Sequence, residues 1–150
     1  MSAPATDMDL HDPAALVRGF EDGSLDVAGF HHCQHLIVAA WLLETSTYDT
    51  ALTRMRKGLH GLLAKVGKDA YHETVTVFWM RALRHRLSAC DRTLPVDQRL
   101  REVVAWAQTG QPLRAHYSAE LLASGAAKRE FVEPDLQPLP SLDRPPRSPV

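Results

Sequence analysis

His32 and His35 stand three residues apart in the stretch 30–35, which runs directly into the apolar sequence 36–43. On a helix, this spacing places both imidazoles on one face together with apolar residues at helical intervals, namely Leu36, Ala39, Leu42 and Leu43. Such imidazoles need partners, because an unpaired polar group is costly to bury. Neutral imidazoles are common ligands of transition metals, so a metal site is one interpretation of the pair; hydrogen-bonded core histidines are the other.

His72 is the predicted third ligand. Helices joined by short loops pack as antiparallel neighbours, which brings the starts of the second and fourth predicted helices to the same end of a bundle. His32, His35 and His72 would then gather at that end. Three imidazoles of this kind hold a divalent transition metal and leave one position open. The cofactor expected from the sequence is therefore iron, copper or zinc.

The candidate catalytic residues are Glu73, Tyr71 and Tyr117. Glu73 follows His72 directly and is a candidate fourth ligand or a base that orients an imidazole, with Glu21 as the alternative. Tyr71 and Tyr117 are candidates for contact with a substrate. A simpler interpretation stays open for two of them, since Glu73 also suits the first turn of a helix and Tyr117 also suits a packed core position.

Composition limits the class of protein. The chain has 150 residues, of which 45% are hydrophobic and 23% charged, which fits one domain with a substantial core. A net charge of -1 disfavours nucleic acid and anionic membranes as partners. No apolar run approaches the roughly 20 residues that a membrane helix needs. Two cysteines are too few for a disulfide framework, and the N-terminus lacks the pattern of a secretory signal, so we expect a cytoplasmic protein.

The apolar periodicity predicts an all-α fold: a single-domain bundle of four to five helices, with short C-terminal helices and an extended Pro-rich tail. The predicted helices span about residues 13–22, 30–45, 48–66, 71–89 and 96–108, with short pieces near 118–123 and 125–132. A β-branched cluster at 74–77 leaves a short strand open there. Residues 1–11 and 141–150 are predicted to be disordered tails around the domain 12–140.

Four short motifs follow one another along the chain: F-x-H-x-x-H at 30–35, Y-H-x-T at 71–74, Y-S-x-x-L-L at 117–122 and P-D-x-x-P-L-P at 134–140. In these motifs the sequence resembles a family of small uncharacterised bacterial helical proteins, over about residues 16–140. The resemblance implies no particular activity. It does select His32 rather than His31, together with His35 and His72, and it implies that the Pro134-Asp135 segment belongs to the fold.

Three functions follow as hypotheses. The first is a histidine-ligated metalloprotein, acting on a small molecule through oxidation or metal-activated water. The second is a metal-free module that binds a small ligand through its imidazoles. The third is a structural or interaction protein whose histidines are only hydrogen-bonded in the core. A small-molecule substrate or ligand is the expected partner in the first two.

Overall fold

A computed structural model describes residues 12–67, 70–109 and 111–140, and the predicted terminal tails lie outside these ranges. The described secondary structure is helical throughout and contains no strand, which confirms the all-α class. The longer helices are α1 (Pro13–Asp22), α2 (His32–Thr45), α3 (Tyr48–Val66), α4 (Glu73–Ala89) and α5 (Val96–Ala107). Short helices follow: α6 (Pro112–His116), α7 (Ala119–Leu122) and α8 (Gly125–Arg129). None of the described helices is both long and apolar enough to cross a bilayer.

Side chains at the helix starts explain where the helices begin. Asp12 accepts a hydrogen bond from the Ala15 amide before α1, and Thr47 does the same for Thr50 before α3. These bonds satisfy amides that have no partner inside the helix. The predicted bounds of α1 and α3 agree with the structure, whereas α2 and α4 each begin two residues later than predicted. The cluster 74–77 lies within α4, so the alternative of a strand there is wrong.

Helix α2 lies at the centre of the bundle and packs against α1, α3, α4 and α5. Its middle residues, Ile37, Val38 and Ala40, are fully buried. A helix that is apolar on every side is typical of a central position. The predicted single inward face is therefore too simple, because the middle of α2 is enclosed around most of its circumference.

Two further features fix the bundle. Gly58 in α3 lets the Phe20 ring of α1 approach closely, since a Cβ atom at Gly58 would lie only 2.1 Å from a ring carbon. The C-terminal segment, residues 130–140, returns over α4 and α7. The Thr74 hydroxyl donates to the Glu130 carbonyl at 2.8 Å and accepts from the Val132 amide at 3.2 Å. The bundle therefore includes this segment as a structural part.

Candidate functional site

His32 and His35 line one pocket beside the first turn of α2. The pocket has a volume of about 420 Å³ and lies between α2, α3, α4 and α6. We call it the histidine pocket; its lining residues are His32, His35, Leu36, Ala39, Met55, Leu59, Val75, Thr76, Trp79, Met80 and Leu113. Apart from the two imidazoles and the Thr76 hydroxyl, which donates to the His72 carbonyl at 2.9 Å, the lining side chains are apolar.

Burial lowers the pKa of both pocket histidines. The half-buried His35 ring lies 4.3 Å from the Phe30 ring centre, and burial, helped by the proximity of His32, lowers the pKa of His35 to about 4. His32 is exposed on its outer side, but its ring packs edge-on against Trp79, and partial burial lowers its pKa as well. At neutral pH both imidazoles are therefore uncharged. One ring nitrogen of His35 already donates a hydrogen bond to the Phe30 backbone carbonyl, so the other is left as an acceptor.

His72 does not join the other two histidines. It caps α4, where its Nδ1 atom accepts a hydrogen bond from the Val75 amide at 3.2 Å. Its Nε2 atom lies 2.8 Å from the carbonyl oxygen of Leu122. Because a carbonyl only accepts, the proton lies on Nε2, and both nitrogens are engaged. His72 therefore serves as a structural link between α4 and α7.

The predicted set of three histidine ligands is accordingly not assembled. Among the described residues, no group of three or more His, Cys, Asp or Glu side chains is placed to hold a metal ion. The contact between His32 and Trp79 gives the physical reason. The first turn of α2 faces α4 seven residues beyond His72, about 10 Å along the helix axis. The starts of α2 and α4 lie at the same end of the bundle, as predicted. The register of α2 along α4, however, keeps His72 away from His32 and His35.

Glu73 and Tyr71 lie together in a different place. They line an open polar cleft with His60, Leu63, Ala64, Gly67, Lys128 and Arg129. The Tyr71 hydroxyl donates to Glu73 at 2.5 Å, and Arg56 binds both carboxylate oxygens of Glu73. Burial works to raise the pKa of Glu73, but Arg56 and Tyr71 outweigh it and the pKa is lowered. Burial and the bond to Glu73 raise the pKa of Tyr71 to about 12. This arrangement is an ion pair with a bound phenol, and neither group is poised for proton transfer at neutral pH.

Tyr117 and Glu21 are likewise engaged away from the histidine pocket. Tyr117 is 1% exposed and donates its hydroxyl to the Val132 carbonyl at 2.7 Å. Burial raises the pKa of Tyr117 to about 12. Glu21 pairs with Arg54, which lowers the pKa of the carboxylate. The motif position Tyr117 thus anchors the C-terminal segment rather than contacting the pocket.

A second hollow, which was not predicted from the sequence, lies beside the histidine pocket. We call it the polar hollow; it has a volume of about 670 Å³ and is lined by His31, His32, Cys33, Trp79, Ala107, Gln108, Gln111, Pro112, Leu113 and Arg114. Helix α6 supplies much of its wall and was not predicted, because it is only five residues long. Pro112 at its first turn was the available signal.

The fold and these cavities define an all-α bundle protein with an apolar pocket that two neutral histidines border. Comparison with protein families, curated proteins and solved structures found no match to the chain.

Proposed function

We propose that the protein is a metal-free module that binds a small molecule in the histidine pocket. The observation that carries this proposal is a mainly apolar pocket of about 420 Å³ whose few polar groups include two imidazoles. Pockets for small ligands typically measure about 300–1,000 Å³ and combine apolar walls with a few converging polar groups. The histidine pocket has this composition.

The polar groups of the pocket are suited to orient a ligand. Thr76 is already engaged with the backbone, so the lining side chains with a polar atom for a ligand are His32, His35 and Trp79. The uncharged His32 ring can donate to or accept from a polar ligand atom, whereas the His35 ring, whose N–H is bonded to the Phe30 backbone, can accept from a hydroxyl group. Buried walls contributed by Leu36, Ala39 and Met80 would cover the apolar part of the ligand.

The protonation state of His35 favours binding over catalysis. A general base works best when its pKa lies near the operating pH. Burial lowers the pKa of His35 to about 4, which makes it a weak base at neutral pH. Neither Tyr71 nor Glu73 lines the histidine pocket, so they supply no second acid or base there.

Isothermal titration with the neutral probe 1-naphthalenemethanol tests the proposal. Val75 lines the pocket and is half-buried, so Val75→Phe places a ring in the space that the probe needs. Ala105→Phe adds the same side chain at an exposed position of α5 and is the matched control. We expect binding in the wild type and the control, and an affinity at least about tenfold weaker in Val75→Phe. Absence of binding to the wild type, or equal binding by Val75→Phe, would overturn the proposal.

A divalent transition metal at His32 and His35 is the second candidate. Two neutral imidazoles one helical turn apart line the same pocket, and neutral imidazole is the form that binds zinc, copper or iron. The other ligands would then be water or the substrate. Metal analysis of untagged protein tests this: a two-histidine site loses its metal in His32→Ala and keeps it in His72→Ala. Metal-free protein that still binds the naphthalene probe would rule this candidate out.

The interaction hypothesis has less support from the described surface. A docking face for another protein needs a contiguous apolar patch. Among the described residues, the only large hydrophobic side chain that is exposed is Leu136. One leucine does not make such a patch.

A further inference from the structure

The polar hollow and the histidine pocket are neighbours with common walls. His32, Trp79 and Leu113 line both cavities. A ligand that occupies both cavities would therefore lie against these three side chains. The two cavities differ in chemistry, since the walls of the first are mainly apolar whereas the second includes glutamines and an arginine.

Arg114 gives the polar hollow a positive charge. The described residues that line the hollow include no carboxylate, and Arg114 is exposed. The ion pairs found among the described residues use Arg54, Arg56, Arg92 and Arg99 rather than Arg114. The guanidinium of Arg114 is thus accessible to an anion that enters the hollow.

Gln108 supplies a donor that an anion would satisfy better than its present partner. Its amide nitrogen lies 3.1 Å from the Cys33 sulfur, and a thiol is a weak hydrogen-bond acceptor. A carboxylate oxygen is a much stronger acceptor. Gln108 and Arg114 therefore offer neutral and charged donors within one hollow.

We propose that the ligand is a small monocarboxylate with an apolar body, whose body fills the histidine pocket and whose carboxylate binds Arg114 in the polar hollow. This inference rests on the proposed function. The planar guanidinium fork matches a carboxylate, and one full positive charge balances one negative charge. A phosphate ester would bring further negative charge that the lining does not balance.

Three probes with one ring system test the inference by isothermal titration at low salt: 1-naphthylacetate, 1-naphthalenemethanol and 1-naphthylmethylammonium. We expect the anion to bind about tenfold more tightly than the neutral probe, and the cation to bind most weakly. Added salt should reduce the advantage of the anion, because the Arg114 side chain is exposed. Octanoate in the same assay distinguishes an alkyl body from an aromatic body.

Arg114→Gln should abolish the preference for the anion, and the neutral probe measured on the same variant reports whether the pocket is intact. Arg18→Gln removes an equal charge from an exposed position of α1 and should keep the preference. If the neutral probe binds but the anion binds no more tightly, or if Arg114→Gln keeps the preference for the anion, the proposal of a carboxylate ligand at Arg114 is wrong. The proposal that the pocket binds a small molecule then still stands. If no probe binds, both proposals fail.

Discussion

The His35 imidazole lies against the Phe30 ring, beside His32, in a pocket with few other polar groups. Burial there lowers the pKa of His35 to about 4, below the ordinary value of 6.5. Between these values the unfolded chain binds a proton at His35 and the folded chain does not. Stability should therefore be complete above pH 6.5 and fall as the pH decreases towards 4.

His35→Gln removes this titration. We expect the wild type to lose about 2 kcal/mol more unfolding free energy than His35→Gln between about pH 7.5 and about pH 4.5. Urea unfolding of both proteins at the two pH values measures the difference. Carboxylates titrate equally in both proteins, so the comparison cancels them. Parallel losses in the two proteins would show that the His35 ring is not desolvated.

Tyr117→Phe tests whether this tyrosine anchors the C-terminal segment. The change leaves the Val132 carbonyl without its hydroxyl partner and should lower the unfolding free energy by about 1 kcal/mol. Tyr71→Phe should lower it less, because Glu73 keeps its ion pair with Arg56. Thermal or urea unfolding provides the measurement. An intact stability together with lost binding of 1-naphthalenemethanol would instead place Tyr117 in the site.

The spacing along the sequence correctly predicted that His32 and His35 share one site. The prediction that His72 joins them was wrong. A histidine just before a helix can cap that helix or point at a ligand, and both roles require the same position in the sequence. The His72 ring accepts from the Val75 amide and bonds to the Leu122 carbonyl, so it is a helix cap. Leu122 lies fifty residues further along the chain. Local pattern contains no information on that partner.

Helix α1 packs closely on α3 at one glycine, Gly58. The Phe20 ring, 2% exposed and 5.4 Å from the Phe30 ring centre, occupies the space next to Gly58. A close approach of this kind requires the absence of a side chain, because buried neighbours have no room to move. Gly61 lies one turn later in α3, and a Cβ atom added there would have no neighbouring atom within 4 Å.

Gly58→Ala should therefore destabilise the protein by about 2–3 kcal/mol through overpacking against Phe20. Gly61→Ala is the matched control and should stabilise the protein by about 0.5–1 kcal/mol, because alanine favours a helix interior. Urea unfolding of the two variants measures both effects. Similar stability changes in both variants would contradict the close packing of α1 on α3.

The longer helices were predictable because their apolar periodicity and their caps act locally. Asp12 and Thr47 mark the starts of α1 and α3, where prediction and structure agree. The short helix α6 depends on Gln111, which adopts a positive φ of 48°. Glutamine rarely takes this backbone conformation, so the sequence gives little sign of it. The missed helix carries Arg114, and the polar hollow was missed with it.

The motif residues of the C-terminal half find their explanation in the path of residues 130–140. Thr74 and Tyr117 bind backbone groups of Glu130 and Val132, and Ser118 donates both its amide and its hydroxyl to Asp135. The implied membership of Pro134-Asp135 in the fold agrees with these contacts. Of the residues that suggested chemistry, His72 and Tyr117 therefore serve to close the bundle.

The pocket itself depends on how the whole bundle packs. Its walls come from α2, α3, α4 and α6, which are far apart along the chain. Antiparallel neighbours could be predicted from loop lengths, but the register of α2 against α4 depends on side-chain packing in the centre. That register sets His32 beside Trp79 and away from His72, which is why the predicted cluster of three histidines is not assembled among the described residues.

The central claim is that a small apolar molecule enters the histidine pocket, and methyl NMR tests it most directly. Met55 and Met80 both line the pocket and are buried, so their methyl groups report on it. With ¹³C-methyl-methionine protein, titration of 1-naphthalenemethanol should shift both signals along one saturating curve, and Val75→Phe should suppress the shifts. Signals of Met55 and Met80 that stay unchanged at saturating probe would contradict the account.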